Sequence, residues 1–107
     1  MDSTVYQKAV AAFFARLVRA ADAIDPDVVE CDSTADMVTF SNPRTSAKVI
    51  VNTQRAVFQI WVAGKGVGVH FSYGADNRWV DDRGQGIELG AWVAECVEDL
   101  SGARLAL

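Results

Sequence analysis

Apolar positions near the start of the chain recur every three or four residues. They are Tyr6, Val10, Phe13, Leu17, Ala21 and Ile24. This spacing places one apolar stripe along an amphipathic helix. Thr4 and Gln7 fit a capping box at its start. Pro26 predicts an end at Asp25, because the residue before a proline avoids the α conformation.

The middle of the chain instead alternates apolar and polar positions, as strands with one buried face do. We expect strands at residues 29–32, 36–40, 47–52, 57–63, 67–73 and 79–80. Ser41-Asn42-Pro43 and Gly64-Lys65-Gly66 have the composition of turns between them. Since such short connections join neighbouring strands, the pattern predicts an antiparallel meander.

A second helix is predicted to open at Gly84-Gln85-Gly86 and to end at Gly102, a residue suited to a left-handed cap. Its apolar face comprises Leu89, Trp92, Val93, Cys96, Val97 and Leu100. The whole pattern predicts an α+β, two-layer sandwich in which two terminal helices pack on one face of a five- to six-stranded antiparallel sheet. A chain of 107 residues is long enough for one such domain, spanning residues 1–107, and too short for two.

Alternation also predicts which strand residues face the exposed side of the sheet. This outward set gathers Asn52, Gln59, Trp61 and His70. Trp is enriched in protein interfaces, so a Trp among amides and a His is typical of a binding surface. Two simpler interpretations stay open: Trp61 lies flat and covers the sheet backbone, and His70 is a hydrogen-bonded surface residue.

Composition narrows the class of protein. Half of the residues are apolar and 22% are charged, which is typical of a globular domain. The net charge of −4 disfavours nucleic acid as a partner. No apolar stretch is long enough for a membrane span and no targeting segment is recognisable, so we expect a cytoplasmic protein. Cys31 and Cys96 stand apart, which favours reduced thiols over a disulfide or a zinc site.

The charges are unevenly distributed along the chain. Residues 22–36 contain six acids and no base, whereas residues 37–74 contain four bases and no acid. The six acids are Asp22, Asp25, Asp27, Glu30, Asp32 and Asp36. Clustered carboxylates suit hard cations such as Ca²⁺, Mg²⁺, Mn²⁺ and iron. A solvated acidic face and a docking surface for a basic partner are the alternatives.

Signatures of catalysis are not found in the sequence. There is no Gly-rich phosphate loop before a helix, no nucleophile elbow and no pattern of paired carboxylates. Gly64-Lys65-Gly66 lies between two predicted strands and so reads as a hairpin turn. We therefore expect a protein without a catalytic centre of its own.

Five segments of the chain carry a family resemblance when they are taken in order: Glu30–Asp32, Val49–Gln54, Gln59–Ala63, Lys65–Phe71 and Trp79–Gly84. Together they resemble the frataxin family, specifically its bacterial CyaY branch. The resemblance runs from the first helix to Gly102. One departure concerns the first helix, whose second half is acidic in that family. Here it retains only Asp22, and Arg16 and Arg19 stand nearby.

The resemblance implies an accessory protein of iron–sulfur cluster assembly. Iron, as Fe²⁺ or Fe³⁺, would be weakly bound at the surface by Asp22, Asp25, Asp27, Glu30 and Asp32. The same acids would dock on a cysteine desulfurase. A second contact, with the desulfurase or the cluster scaffold protein, would involve Asn52, Gln54, Gln59, Trp61 and His70.

Two further functions and the oligomeric state complete these expectations. One alternative is an iron-independent regulator that only binds the desulfurase. An iron-oxidising enzyme is less favoured, because the sequence builds no buried di-iron site from Glu and His. We expect a monomer, with iron-dependent association as the alternative.

Overall fold

The computed structural model describes all 107 residues of the chain. In sequence order, six strands lie between an N-terminal and a C-terminal helix. The elements are α1 (Ser3–Asp22), β1 (Glu30–Ser33), β2 (Met37–Ser41), β3 (Lys48–Gln54), β4 (Gln59–Gly64), β5 (Val67–Tyr73), β6 (Trp79–Asp81) and α2 (Leu89–Ser101). The strands pair in sequence order, and every pair is antiparallel. The predicted meander between terminal helices is confirmed. Neither helix is long and apolar enough to cross a membrane.

Alternate strand residues form the core against the two helices. The inward residues Val38, Phe40, Val49, Val51, Ile60, Val62 and Phe71 are all at most 1% exposed. They belong to one cluster with Tyr6, Val10 and Leu17 of α1 and with Leu89, Val93 and Val97 of α2. Each such apolar side chain contributes about 1.5–3 kcal/mol when buried. One face of each of these strands is therefore buried, as the alternation of apolar and polar positions predicts, and the opposite face of the sheet is left free.

The boundaries predicted for α1 are wrong at both ends. The cap is Asp2, whose Oδ1 accepts from the Thr4 amide at 2.6 Å, so Thr4 does not form the predicted capping box. An Asp side chain that accepts from an amide two residues on is a favourable cap, so the helix begins at Ser3, two residues before the start that a Thr4 cap implies. The helix ends at Asp22, three residues before the predicted end at Asp25. Asp25 instead belongs to a turn, in which its side chain accepts a hydrogen bond from the Asp27 amide.

Two other predicted starts are also corrected. Strand β4 begins at Gln59 and not at residue 57, because Arg55–Val57 form a 3₁₀ turn and Phe58 is left-handed, with φ of 55°. Helix α2 begins at Leu89, after the loop that contains Gly84 and Gly86. The predicted stop at Gly102 is confirmed, with φ of 81°.

Candidate functional site

A row of polar and aromatic residues crosses the free face of the sheet. Asn52 on β3 lies opposite Trp61 on β4, and Trp61 lies opposite His70 on β5. The row continues to Met37 on β2, which pairs with Asn52 and is 37% exposed. Directly opposed side chains on antiparallel strands lie about 5 Å apart, so the register brings them into one surface. The grouping of Asn52, Trp61 and His70 expected from alternation is confirmed, whereas Met37 was missed.

Trp61 lies across the backbone of its neighbouring strand. A Cβ atom placed on Gly68 would come within 2.6 Å of the Trp61 Nε1 and 2.9 Å of its Cζ2. The indole therefore covers Gly68, in the manner of an aromatic residue that shields a strand glycine. Because Trp61 is only half-buried, it keeps an exposed part. The covering and binding interpretations are thus compatible.

His70 differs from the simple expectation of a hydrogen-bonded surface residue. Its Nδ1 is buried and has no hydrogen-bond partner. Its ring centroid lies 6.5 Å from the aromatic centroid of Trp61. Buried polar atoms without partners are uncommon in folded proteins. The only histidine of the chain therefore has a ring nitrogen without a hydrogen-bond partner, next to Trp61 on the free face of the sheet.

Gln54 and Gln59 form a second, parallel row on the same face. They are register partners, and Gln59 in turn lies opposite Ser72. The Gln59 Nε2 donates to the Ser72 Oγ at 3.1 Å and to the Asp82 Oδ2 at 3.3 Å. The Tyr6 hydroxyl fixes this strand from the core side by donating to the Gln59 carbonyl at 2.7 Å. We call Asn52, Gln54, Gln59, Trp61 and His70 the sheet-face surface.

The acids predicted to bind iron lie from the last residue of α1 to β1, a region that we call the acidic end. Its members are Asp22, Asp25, Asp27, Glu30 and Asp32. All five are exposed, and none forms an ion pair. Burial, then the charges of Asp32 and Asp22, raises the pKa of the Cys31 thiol. Helix α1 and strand β1 therefore bring Asp22 and Asp32 to the same side chain.

The acidic end is an electrostatic surface without a preassembled ligand set. Nowhere in the chain do three or more His, Cys, Asp or Glu side chains lie close enough together to hold a metal ion. One or two of these carboxylates, completed by water, remain suitable ligands for a hard cation. The sixth acid, Asp36, is separate: it pairs with Arg55, and this contact lowers the pKa of its carboxyl group.

Comparisons with known proteins agree on one family. The family model described as a frataxin-like domain matches residues 1–102. The iron-sulfur cluster assembly protein CyaY of Tolumonas auensis is 35% identical over 89 residues, which are 83% of this chain and 82% of that protein. The CyaY protein of Paraburkholderia xenovorans is 32% identical over 102 residues, covering 95% and 93% of the two chains.

A comparison with solved structures supports the fold described above. A solved frataxin of Psychromonas ingrahamii superposes with a TM-score of 0.84, covering 98% of this chain and 96% of the other. The two sequences are only 20% identical in that superposition. The architecture is therefore shared even where most side chains differ.

Proposed function

The chain belongs to the frataxin-like, CyaY family, and on this premise we propose that it is an iron-binding accessory protein of iron–sulfur cluster assembly. In this proposal it docks on a cysteine desulfurase and modulates the delivery of sulfur and iron to the scaffold protein. The relatives named above carry the name iron-sulfur cluster assembly protein CyaY.

The observation that carries the docking proposal is the unpaired charge of the acidic end. Its five carboxylates are exposed, and no base occurs between residues 22 and 36 to neutralise them. Such a field steers a basic partner surface toward its site and fixes the orientation of encounter. The sheet-face surface supplies a second contact. Its Trp61 side chain is positioned by packing on Gly68 and remains partly exposed to a partner.

Iron is the cargo in this proposal. Carboxylate oxygens are donors that Fe²⁺ and Fe³⁺ accept, and exposed donors with water as co-ligands bind weakly and release readily. Asp22 and Asp32 are the first pair to consider, because both lie close enough to Cys31 to affect its pKa. Weak binding suits a protein that passes iron onward.

Binding to a purified cysteine desulfurase tests the docking proposal. We expect Glu30→Lys with Asp32→Lys to weaken binding strongly and to flatten its dependence on salt, because both charges of β1 are reversed. Trp61→Ala should weaken binding while leaving the salt dependence unchanged. Calorimetry at two ionic strengths measures both quantities.

The matched control is Asp76→Lys with Asp99→Lys, which makes the same change in net charge at exposed acids outside the acidic end. It should bind nearly as the parent protein does. Equal losses for the two double variants would show that only net charge matters, and undiminished binding by the β1 variant would refute docking through the acidic end. Melting curves verify that each variant is folded.

The alternative function is an iron-independent regulator of the desulfurase. It is favoured because the acidic end has no group of three side chains placed to hold a metal ion. An Fe²⁺ titration followed by NMR line broadening separates the two. If iron is cargo, amide signals between residues 22 and 32 should broaden first, and Asp22→Asn with Asp32→Asn should reduce that broadening. Signals that stay sharp at millimolar iron, together with intact desulfurase binding, would establish the regulator instead.

A further inference from the structure

The outer surface of the helix layer contains a groove that the proposed function does not use. Three depressions adjoin at Arg16, with volumes of about 330, 230 and 140 Å³. The first lies between α1 and the last residues of the chain, and the second also includes α2. The third lies between α1 and the connection from β5 to β6, at Tyr73, Asn77 and Trp79. Much of the lining is small or aliphatic: Ala20, Ala23, Gly90, Ala91, Ala94 and Leu107. We call this feature the helix-layer groove.

Its rim carries positive charge that the chain does not neutralise. Arg16 and Arg19 form no ion pair, and Arg104 reaches only Glu98, at 3.6 Å. The single acidic side chain that lines the groove is Glu88.

Glu88 is already engaged. Its carboxylate caps α2 by accepting from the amides of Gly90 at 2.8 Å and Ala91 at 3.2 Å. In a chain of net charge −4, this basic surface is therefore a local exception.

Arg16 is placed to contact an occupant anywhere along the groove. It lines all three depressions, and its guanidinium carbon lies 6.0 Å from the centre of the Phe13 ring. A cation over an aromatic ring is partly oriented without losing its hydrogen-bond donors. Guanidinium groups bind carboxylates through two parallel hydrogen bonds.

We propose that the helix-layer groove binds an acidic peptide segment of a partner protein. Carboxylates of the segment pair with Arg16 and Arg19, and its small apolar side chains lie on the alanine and glycine floor. A purely polyanionic ligand would leave that floor unused, which is why a mixed acidic and apolar segment is the better fit. The site lies on the layer opposite the sheet-face surface, so it does not depend on the proposed function.

The probe is a synthetic peptide of alternating Glu, Leu and Ala, titrated into ¹⁵N-labelled protein at low ionic strength. We expect amide shift changes centred on Arg16, Ala91 and Ala94. Arg16→Glu with Arg19→Glu should weaken binding by about tenfold or more, since two attractive charges become repulsive. Arg16→Lys with Arg19→Lys should lose less binding than the Glu variant, because the positive charges remain while the paired guanidinium hydrogen bonds are lost.

Arg44→Glu with Arg78→Glu is the matched control, because both arginines are exposed and neither lines the groove. It should bind the peptide nearly as the parent does. The proposal is overturned if the acidic peptide shifts no groove amide, if a peptide with Lys in place of Glu binds equally, or if the groove variant binds like the control. Stronger binding of inorganic triphosphate than of the peptide would make the groove a polyanion site instead.

Discussion

A single buried carboxylate organises the approach to the second helix. Asp81 is only 5% exposed, and its two oxygens accept from the amides of Gln85 and Ile87, each at 2.9 Å. These hydrogen bonds, that of Gln85 foremost, hold the pKa of Asp81 below its usual range. In the sequence Asp81 is indistinguishable from its exposed neighbour Asp82, so its structural role emerges only when the loop is folded over it.

We predict that Asp81→Asn destabilises the protein and reduces its acid sensitivity. An Asn side chain offers one acceptor oxygen, so one of the two amides loses its partner, and the melting temperature at neutral pH should fall by about 5 °C. The folded pKa of Asp81 lies below the unfolded value of about 3.9, so its charge stabilises the fold at neutral pH. That contribution decreases as the pH falls from about 5 through the folded pKa.

Melting curves between neutral pH and the acid range measure this prediction, with Asp76→Asn as the control at an exposed carboxylate. The control should melt and titrate like the parent protein. Part of the acid sensitivity should survive in Asp81→Asn, because the pKa of Asp36 is also lowered, by Arg55 and Thr53. A parallel pH dependence in parent and Asp81→Asn would contradict the assigned role.

At the level of elements, alternation predicted the sheet well and the segment ends poorly. Inward residues of the central strands were identified because one buried face imposes a period of two. The start of β4 was predicted too early because Phe58 packs on the core and therefore fits the apolar alternation of a strand. Its backbone is left-handed, so it does not belong to the strand. The start of α2 was also predicted too early. Gly84 and Gly86 lie in the loop whose amides donate to Asp81, and the helix is capped by Glu88 after that loop.

For the sheet-face surface, the strands that carry its residues were predictable, and the arrangement of their side chains was not. Consecutive antiparallel strands must be neighbours, which placed Asn52, Trp61 and His70 on adjacent strands before their register was known. The contact of Trp61 with Gly68 depends on a diagonal relation that only the register defines. The helix-layer groove could not be predicted at all, since it requires the relative position of two helices and the final residues.

Across the whole molecule, charges of opposite sign lie close together on one small body. The molecule measures 40 × 25 × 22 Å, and Arg19 lies three residues before Asp22 on α1. At about 0.01 M salt, screening extends over roughly 30 Å, so a partner at the acidic end also experiences the arginines. At physiological ionic strength this range falls to about 8 Å, and local contacts dominate.

This arrangement predicts that one variant weakens the binding of an acidic peptide and accelerates association with the desulfurase. Arg16→Glu with Arg19→Glu removes the attraction of the helix-layer groove for an acidic peptide, yet it deepens the negative field near the acidic end. Association with the desulfurase should therefore accelerate at low salt, by roughly two- to tenfold, and return to the parent rate as salt is raised. Stopped-flow association rates at several ionic strengths measure this, with Arg44→Glu and Arg78→Glu as the charge-matched control. Slower association by the groove variant at low salt would mean that the arginines themselves contact the desulfurase, and that the groove belongs to the same interface.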